Sequence, residues 1–162
     1  MDGLKMLYTR RSVRNFTPDP VSDEIVEKIV KAGHLAATGR NVQPWEFVVV
    51  RTPERLKELG EITDYGKFIP EAPLCIAVFC KDTTYYLEDG SAAIQNILLA
   101  ARYHGLGSCW VAGDKKKYAD DIRRLCKADT DKKLIGLVSV GYPGSETVFN
   151  EREIRNPGFR SV

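Results

Sequence analysis

The sequence lacks the features that mark several large classes of protein. It contains no run of 18 apolar residues, so no segment is expected to span a membrane. Its first residues, MDGLK, have no apolar core of the kind found in secretory signals. We therefore expect a cytoplasmic protein without a membrane partner.

An excess of charge is also lacking. The 24 Lys and Arg residues are balanced by 22 Asp and Glu residues, which leaves a net charge of +2. Nucleic-acid-binding proteins usually carry a strong basic excess or a basic stripe. A nucleic-acid partner is therefore not expected.

Metal ligands and conventional catalytic groups are scarce. The four cysteines form no C-x-x-C pair, so we expect no metal site and instead interpret them as buried thiols. The two histidines, His34 and His104, are interpreted as structural. Glu88 and Asp89 are adjacent on a predicted helix and project in different directions, which argues against a glycosidase pair. No G-x-S-x-G, G-x-G-x-x-G or G-x-x-x-x-G-K-[ST] motif stands in the required context.

What is present indicates one globular domain over residues 1–162, with 43% apolar residues. Apolar stretches predict four strands, and periodic stretches predict helices between them. The strands are expected at 47–50, 74–79, 108–111 and 134–140, and the main helices after Ser22, after Thr52, and over 86–104 and 117–127. The helix over 86–104 is apolar nearly all round, which favours burial partly against a second subunit.

Two polar segments are the strongest functional candidates. Residues 10–14, RRSVR, place three guanidinium groups and a hydroxyl within reach of a phosphate, although a solvated basic patch is the alternative. Residues 38–45, TGRNVQPW, offer Asn41 and Gln43 as paired donors and acceptors for a flavin or pyrimidine edge, or else a turn with satisfied side chains. Pro44 should favour an extended Gln43. Such a site with few acid–base groups suggests that a cofactor carries the chemistry.

With two further segments, these motifs resemble the FMN-dependent nitroreductase family. The four matches occur in the family's order and at roughly its spacing. They are RRSVR at 10–14, NVQPW at 41–45, EAP at 71–73 before an apolar strand, and GLGSCWV at 105–111.

The resemblance implies an α+β fold with a central mixed, mostly antiparallel sheet flanked by helices. It also implies an intertwined homodimer with FMN at the subunit interface. NADH or NADPH would reduce the flavin at N5, and a nitroaromatic, quinone or similar acceptor would then be reduced in a ping-pong reaction.

The same resemblance implies roles for particular residues, with no catalytic side chain and no metal. Arg10, Arg11 and Ser12 would bind the phosphate and ribityl chain, with Arg14 as an electrostatic stabiliser at the pyrimidine side. The backbone of Val111, Ala112 and Gly113 would meet N5 or O4, and Arg152 or Arg155 would complete the phosphate contacts. The full cofactor-binding set is Arg10, Arg11, Ser12, Arg14, Thr38, Gly39, Asn41, Gln43, Lys67, Val111, Ala112, Gly113, Arg152 and Arg155.

The sequence also departs from the family's pattern. Many members have proline and serines where this chain has ATGR at 37–40. The segments between the central strands and after Trp110 are short, which implies an open pocket. Two alternatives follow: a non-catalytic FMN-binding dimer, or a specialised flavoenzyme of the same fold that acts on one metabolite.

Overall fold

Five helices and four strands make up the computed structural model, which describes residues 2–155 and 158–161. The helices are α1 (Gly3–Thr9), α2 (Asp23–His34), α3 (Pro53–Ile62), α4 (Tyr86–Tyr103) and α5 (Ala119–Leu125), and the strands are β1 (Trp45–Val50), β2 (Leu74–Lys81), β3 (Gly107–Ala112) and β4 (Lys132–Gly141). A short turn at Gly39–Asn41 precedes β1, and a short 3₁₀ turn at Ile69–Glu71 precedes β2.

The strands form one sheet in the order β1-β2-β4-β3, with every neighbouring pair antiparallel. The only parallel pairing among the described residues is a single bridge between Ser12 and Ser108, so the sheet is mixed only at that point. Strand β2 is buried over nearly its whole length, as expected of a central strand that is apolar on both faces. The α+β fold class is confirmed.

Alternate side chains of β2 divide the core into two layers. Ile76 and Val78 face α2 and α4, where Ile29 and Ile97 are fully buried. Phe79 faces the opposite layer with α3 and α5. The sheet therefore separates two hydrophobic layers, because successive strand residues point to opposite faces.

The helices agree with the sequence in most places. Ser22 caps α2, its hydroxyl accepting from the Ile25 N–H, as predicted. Helix α1 is an addition to the helices predicted above, although Asp2 and an i, i+3, i+4 set of apolar residues supplied a signal for it. No residue of α1 is buried in this chain.

Within residues 2–155 and 158–161, no helix has the length and hydrophobicity needed to cross a membrane.

Candidate functional site

Residues 10–14, hereafter the arginine segment, lie along the outer edge of β3. The Val13 N–H donates to the Ser108 carbonyl at 2.9 Å, next to the Ser12–Ser108 bridge. The Val13 side chain is only 4% exposed. Because side chains of an extended chain alternate between faces, burial of Val13 leaves Arg10, Ser12 and Arg14 on the opposite face.

The glycines of GLGSCWV allow this close packing. A Cβ at Gly107 would lie 2.7 Å from the Val13 Cβ. Gly105 has a φ of +78° and turns the chain between the end of α4 and the start of β3. The motif is thus a turn followed by a surface flat enough to receive the arginine segment.

Arg152 of the C-terminal tail joins the arginine segment around one cavity. This cavity of about 320 Å³ is lined by Arg10, Arg11, Ser12, Arg14 and Arg152. In the described part of the chain, no carboxylate lies within 4.0 Å of these four guanidinium groups, as the ion pairs lie elsewhere. Burial, followed by the nearby Arg152 charge, lowers the pKa of Arg10. Crowded cations without carboxylates at ion-pair distance make a site for an anion, and the fork of a guanidinium matches a phosphate.

Two other predicted cations, Arg155 and Lys67, do not line this cavity. Arg155 shares an adjoining cavity of about 720 Å³ with Arg11 and Arg152. Lys67 donates from Nζ to the Glu61 carbonyl at 2.9 Å. Its neighbour Phe68 has its ring 5.7 Å from the Arg14 guanidinium carbon.

Arg102, near the end of α4, contacts both segments that flank the arginine site. It is absent from the residues predicted from the sequence. Its Nε and Nη2 donate to the Thr9 hydroxyl at 3.2 and 3.1 Å, and its guanidinium lies 3.9 Å from the centre of the Phe149 ring. It therefore joins the end of α1 to the tail that carries Arg152. An arginine in the last turn of a helix with an apolar middle was the only sequence signal.

Residues 38–43, hereafter the amide loop, have an unusual backbone. Arg40, Asn41 and Gln43 have φ values of 56°, 56° and 50°, in the left-handed region that non-glycine residues rarely adopt. The expectation of an extended Gln43 is therefore wrong. The loop turns back on itself instead, with the Gln43 N–H donating to the Thr38 hydroxyl at 3.2 Å.

A buried carboxylate and a pair of amides organise the loop. Asp89, near the start of α4, accepts from the Thr38 hydroxyl at 3.0 Å and from the Gly39 N–H at 2.8 Å. Gln43 Nε2 donates to Asn41 Oδ1 at 2.8 Å. Among the described residues nothing else bonds to Asn41 Nδ2 or Gln43 Oε1, so the exposed pair retains a donor and an acceptor for a ligand.

The end of β3 has fewer free backbone N–H groups than the sequence suggested. Val111 is buried and Ala112 is exposed, but the Gly113 N–H donates to the Ile135 carbonyl at 3.2 Å. That amide is thus paired within the chain and is unavailable to a flavin.

The arginine segment and the amide loop occupy diagonal corners of the sheet. The loop precedes Trp45 on one edge, and the segment lies beside Ser108 at the far end of the other edge. Three strand spacings of ~4.8 Å place the two edges about 14 Å apart. Trp45 pairs with Cys80 and Ser108 is level with Leu74, so the six-residue separation of these levels on β2 adds about 20 Å along the strands. The two sets of residues therefore lie about 25 Å apart within one chain.

Comparison with known proteins identifies the family. The family model of the Nitroreductase family matches residues 7–73 and 65–142 of this chain. A candidate NADH dehydrogenase/NAD(P)H nitroreductase of Archaeoglobus fulgidus is 40% identical over 95% of this chain and 93% of its own length. The chain belongs to the nitroreductase family.

Two further proteins are informative neighbours. The structure of an FMN-dependent nitroreductase from Clostridium difficile is 31% identical, with a TM-score of 0.85 over 93% of this chain and 91% of that one. An iodotyrosine deiodinase of Nematostella vectensis is 25% identical over 88% of this chain and 67% of its own length.

Proposed function

We propose that this protein is an FMN-dependent NAD(P)H oxidoreductase that passes electrons to a small acceptor such as a nitroaromatic or a quinone. The observation that carries the proposal is the cavity of four guanidinium groups without carboxylate partners at the edge of β3. Such a cavity fits the phosphate of a flavin nucleotide. Membership of the nitroreductase family and the name of the Clostridium difficile neighbour support FMN as that nucleotide.

FMN would supply the redox chemistry by accepting and returning a hydride. The protein's part is then to bind, orient and tune it. Arg10, Arg11 and Ser12 hold the phosphate and ribityl chain, and Arg152 completes this contact because it lines the same cavity. Arg14, on the same face as Arg10, provides a fixed positive charge for the pyrimidine side of the ring.

The amide loop contributes from a second copy of the chain. Its free donor on Asn41 and free acceptor on Gln43 match the polar edge of a flavin ring. Because the loop lies diagonally opposite the arginine segment, a homodimer is needed to unite the two sets. Apolar side chains that are about half exposed, including Leu4 at 55%, Leu7 at 49% and Tyr8 at 51%, supply surface for that interface.

An absorbance spectrum tests the proposal. Purified protein saturated with FMN should show flavin bands near ~450 nm that bleach under anaerobic NADH or NADPH and return when a quinone is added. A protein that cannot be reconstituted with FMN contradicts the proposal. FMN binding and thermal stabilisation without bleaching would indicate a flavin-binding dimer without turnover.

A specialised reductive dehalogenase is the second candidate, favoured by the similarity to iodotyrosine deiodinase. It would turn over an iodinated aromatic with release of iodide much faster than a nitroaromatic. Assays of both substrate types with the same reduced protein distinguish the candidates.

A further inference from the structure

Asp89 is a buried carboxylate to which the proposed function assigns no role. It is 4% exposed, and its two oxygens accept one hydrogen bond each, from the Thr38 hydroxyl and the Gly39 N–H. Burial of a carboxylate is costly unless hydrogen bonds compensate it. Its position in the first turn of α4 also places it at the positive end of the helix dipole.

These bonds fix both ends of the amide loop. Asp89 holds Thr38, and the Thr38 hydroxyl in turn accepts from the Gln43 N–H at 3.2 Å. Between those points lie left-handed residues, each of which costs about 1 kcal/mol for a residue with a side chain. Such backbone persists only where its surroundings hold it.

Packing around Gly39 adds to the restraint. A Cβ at this residue would lie 2.7 Å from Tyr85 Cδ2, so a larger residue would press against the Tyr85 ring just before α4. The Gly39 N–H comes within 2.8 Å of Asp89 Oδ1. The shape of the amide loop thus depends on Asp89, which lies 50 residues after Gly39 in the chain.

We propose that Asp89 is a positioning residue for cofactor binding. By holding Thr38 and Gly39, it maintains the paired geometry of Asn41 and Gln43 that the flavin of the partner copy meets. The inference rests on the proposed function, in which the amide loop contacts FMN.

The neighbouring acid provides a matched control. Glu88 and Asp89 carry the same charge in the same turn of α4, but Glu88 is exposed. We expect Asp89→Ala to raise the FMN dissociation constant about tenfold or more, because the amide loop loses both of the charge-assisted hydrogen bonds that hold it to α4. Glu88→Ala should leave it unchanged. The absorption bands of bound FMN should also shift in Asp89→Ala alone.

Conservative variants separate positioning from folding. Asn at 89 can still accept from the Gly39 N–H, so Asp89→Asn should retain most of the affinity that Asp89→Ala loses. Thr38→Val removes both bonds of the Thr38 hydroxyl, the one to Asp89 and the one from the Gln43 N–H, so it should weaken FMN binding more than Asp89→Asn does. If Asp89→Ala does not fold, Thr38→Val provides the test. A folded Asp89→Ala or Thr38→Val that binds FMN as tightly as wild type, whatever its melting temperature, overturns the inference.

Amide hydrogen exchange tests the loop without the cofactor. In the apo protein, the Gly39 and Gln43 N–H groups should exchange slowly in wild type and Glu88→Ala, and faster in Asp89→Ala. Unchanged exchange in Asp89→Ala overturns the inference. If wild type binds no FMN, the proposed function fails, and this exchange result still shows whether Asp89 holds the loop.

Discussion

The arginine segment and the amide loop both present polar groups to a ligand, but their backbones are held in place differently. The arginine segment is an extended chain fastened to the sheet by its backbone, with Val13 buried beneath it. The amide loop has three left-handed residues and depends on the buried side chain of Asp89. The first uses backbone that any sequence can adopt, and the second is held in a conformation that its own residues disfavour.

The difference predicts which substitutions will disrupt the structure of each region. The arginine segment should tolerate side-chain changes without unfolding, since its arginines make no ion pairs within 4.0 Å in the described part of the chain. The amide loop should lose its shape when a distant partner is removed. The following variants test this comparison in order of decreasing effect.

Removal of two arginines should have the largest effect on binding. For Arg10→Ala combined with Arg152→Ala we expect the FMN dissociation constant to rise about 100-fold or more, because each charge-assisted bond contributes ~1.5–3 kcal/mol. The melting temperature of the apo protein should not fall. Titration by flavin fluorescence measures the affinity. The control, Lys31→Ala with Arg124→Ala, removes the same charge from exposed sites, and an equal loss there would contradict a specific phosphate site.

Crowding of the sheet edge should detach the arginine segment. A methyl group at Gly107 would meet Val13 at 2.7 Å, so Gly107→Ala should lower the free energy of unfolding by about 1–3 kcal/mol and weaken FMN binding. Gly3→Ala is the control, because nothing lies within 4 Å of its added methyl. Chemical denaturation of both variants measures the difference, and equal stabilities would show that the segment does not depend on this contact.

Loss of Arg14 should affect redox tuning more than affinity. Reduced flavin gathers negative charge, so Arg14→Ala should lower the flavin reduction potential by about 30 mV, equivalent to tenfold in the two-electron equilibrium. Most of the phosphate contacts should remain. Spectroelectrochemical titration measures the potential. A large loss of FMN affinity, with the potential of the flavin that remains bound unchanged, would refute the division of roles between Arg10 and Arg14.

Relief of strain in the amide loop should have the smallest effect. Unlike the other variants, this one should stabilise the protein. Arg40 has a φ of 56° and an exposed side chain, so Arg40→Gly should raise the free energy of unfolding by up to about 1 kcal/mol. Lys31→Gly, within α2, should instead lower it by about 1 kcal/mol. If Arg40→Gly destabilises the protein, the left-handed conformation is not a source of strain.

Much of the fold could be predicted because its signals are local. The stretch expected as a strand at 74–79 is β2, Leu74–Lys81, and the helix expected over 86–104 is α4, Tyr86–Tyr103. Burial on both faces follows directly from a continuous apolar run. The adjacent acids Glu88 and Asp89 do diverge, one exposed and one buried.

The candidate site was predictable in its residues but less so in its geometry. Alternation along RRSVR is enough to place Arg10, Ser12 and Arg14 on one face, because that depends only on an extended backbone. The conformation of Gln43 was wrongly predicted, since hydrogen bonds to Thr38 and Asn41 outweigh the influence of Pro44. The Gly113 amide is paired across the sheet, a contact with Ile135 that no local pattern reveals.

The sequence by itself determined the strands, the main helices and the two polar motifs, because each depends on residues within a few positions of one another. Only the tertiary structure decided that Arg152 rather than Arg155 lines the cavity of the arginine segment, that Arg102 packs against the tail that carries it, and that Asp89 shapes the amide loop. The strand order also placed the two motifs at diagonal corners of one sheet. Such long-range contacts arise only when the chain has folded, since they follow from the packing of distant elements.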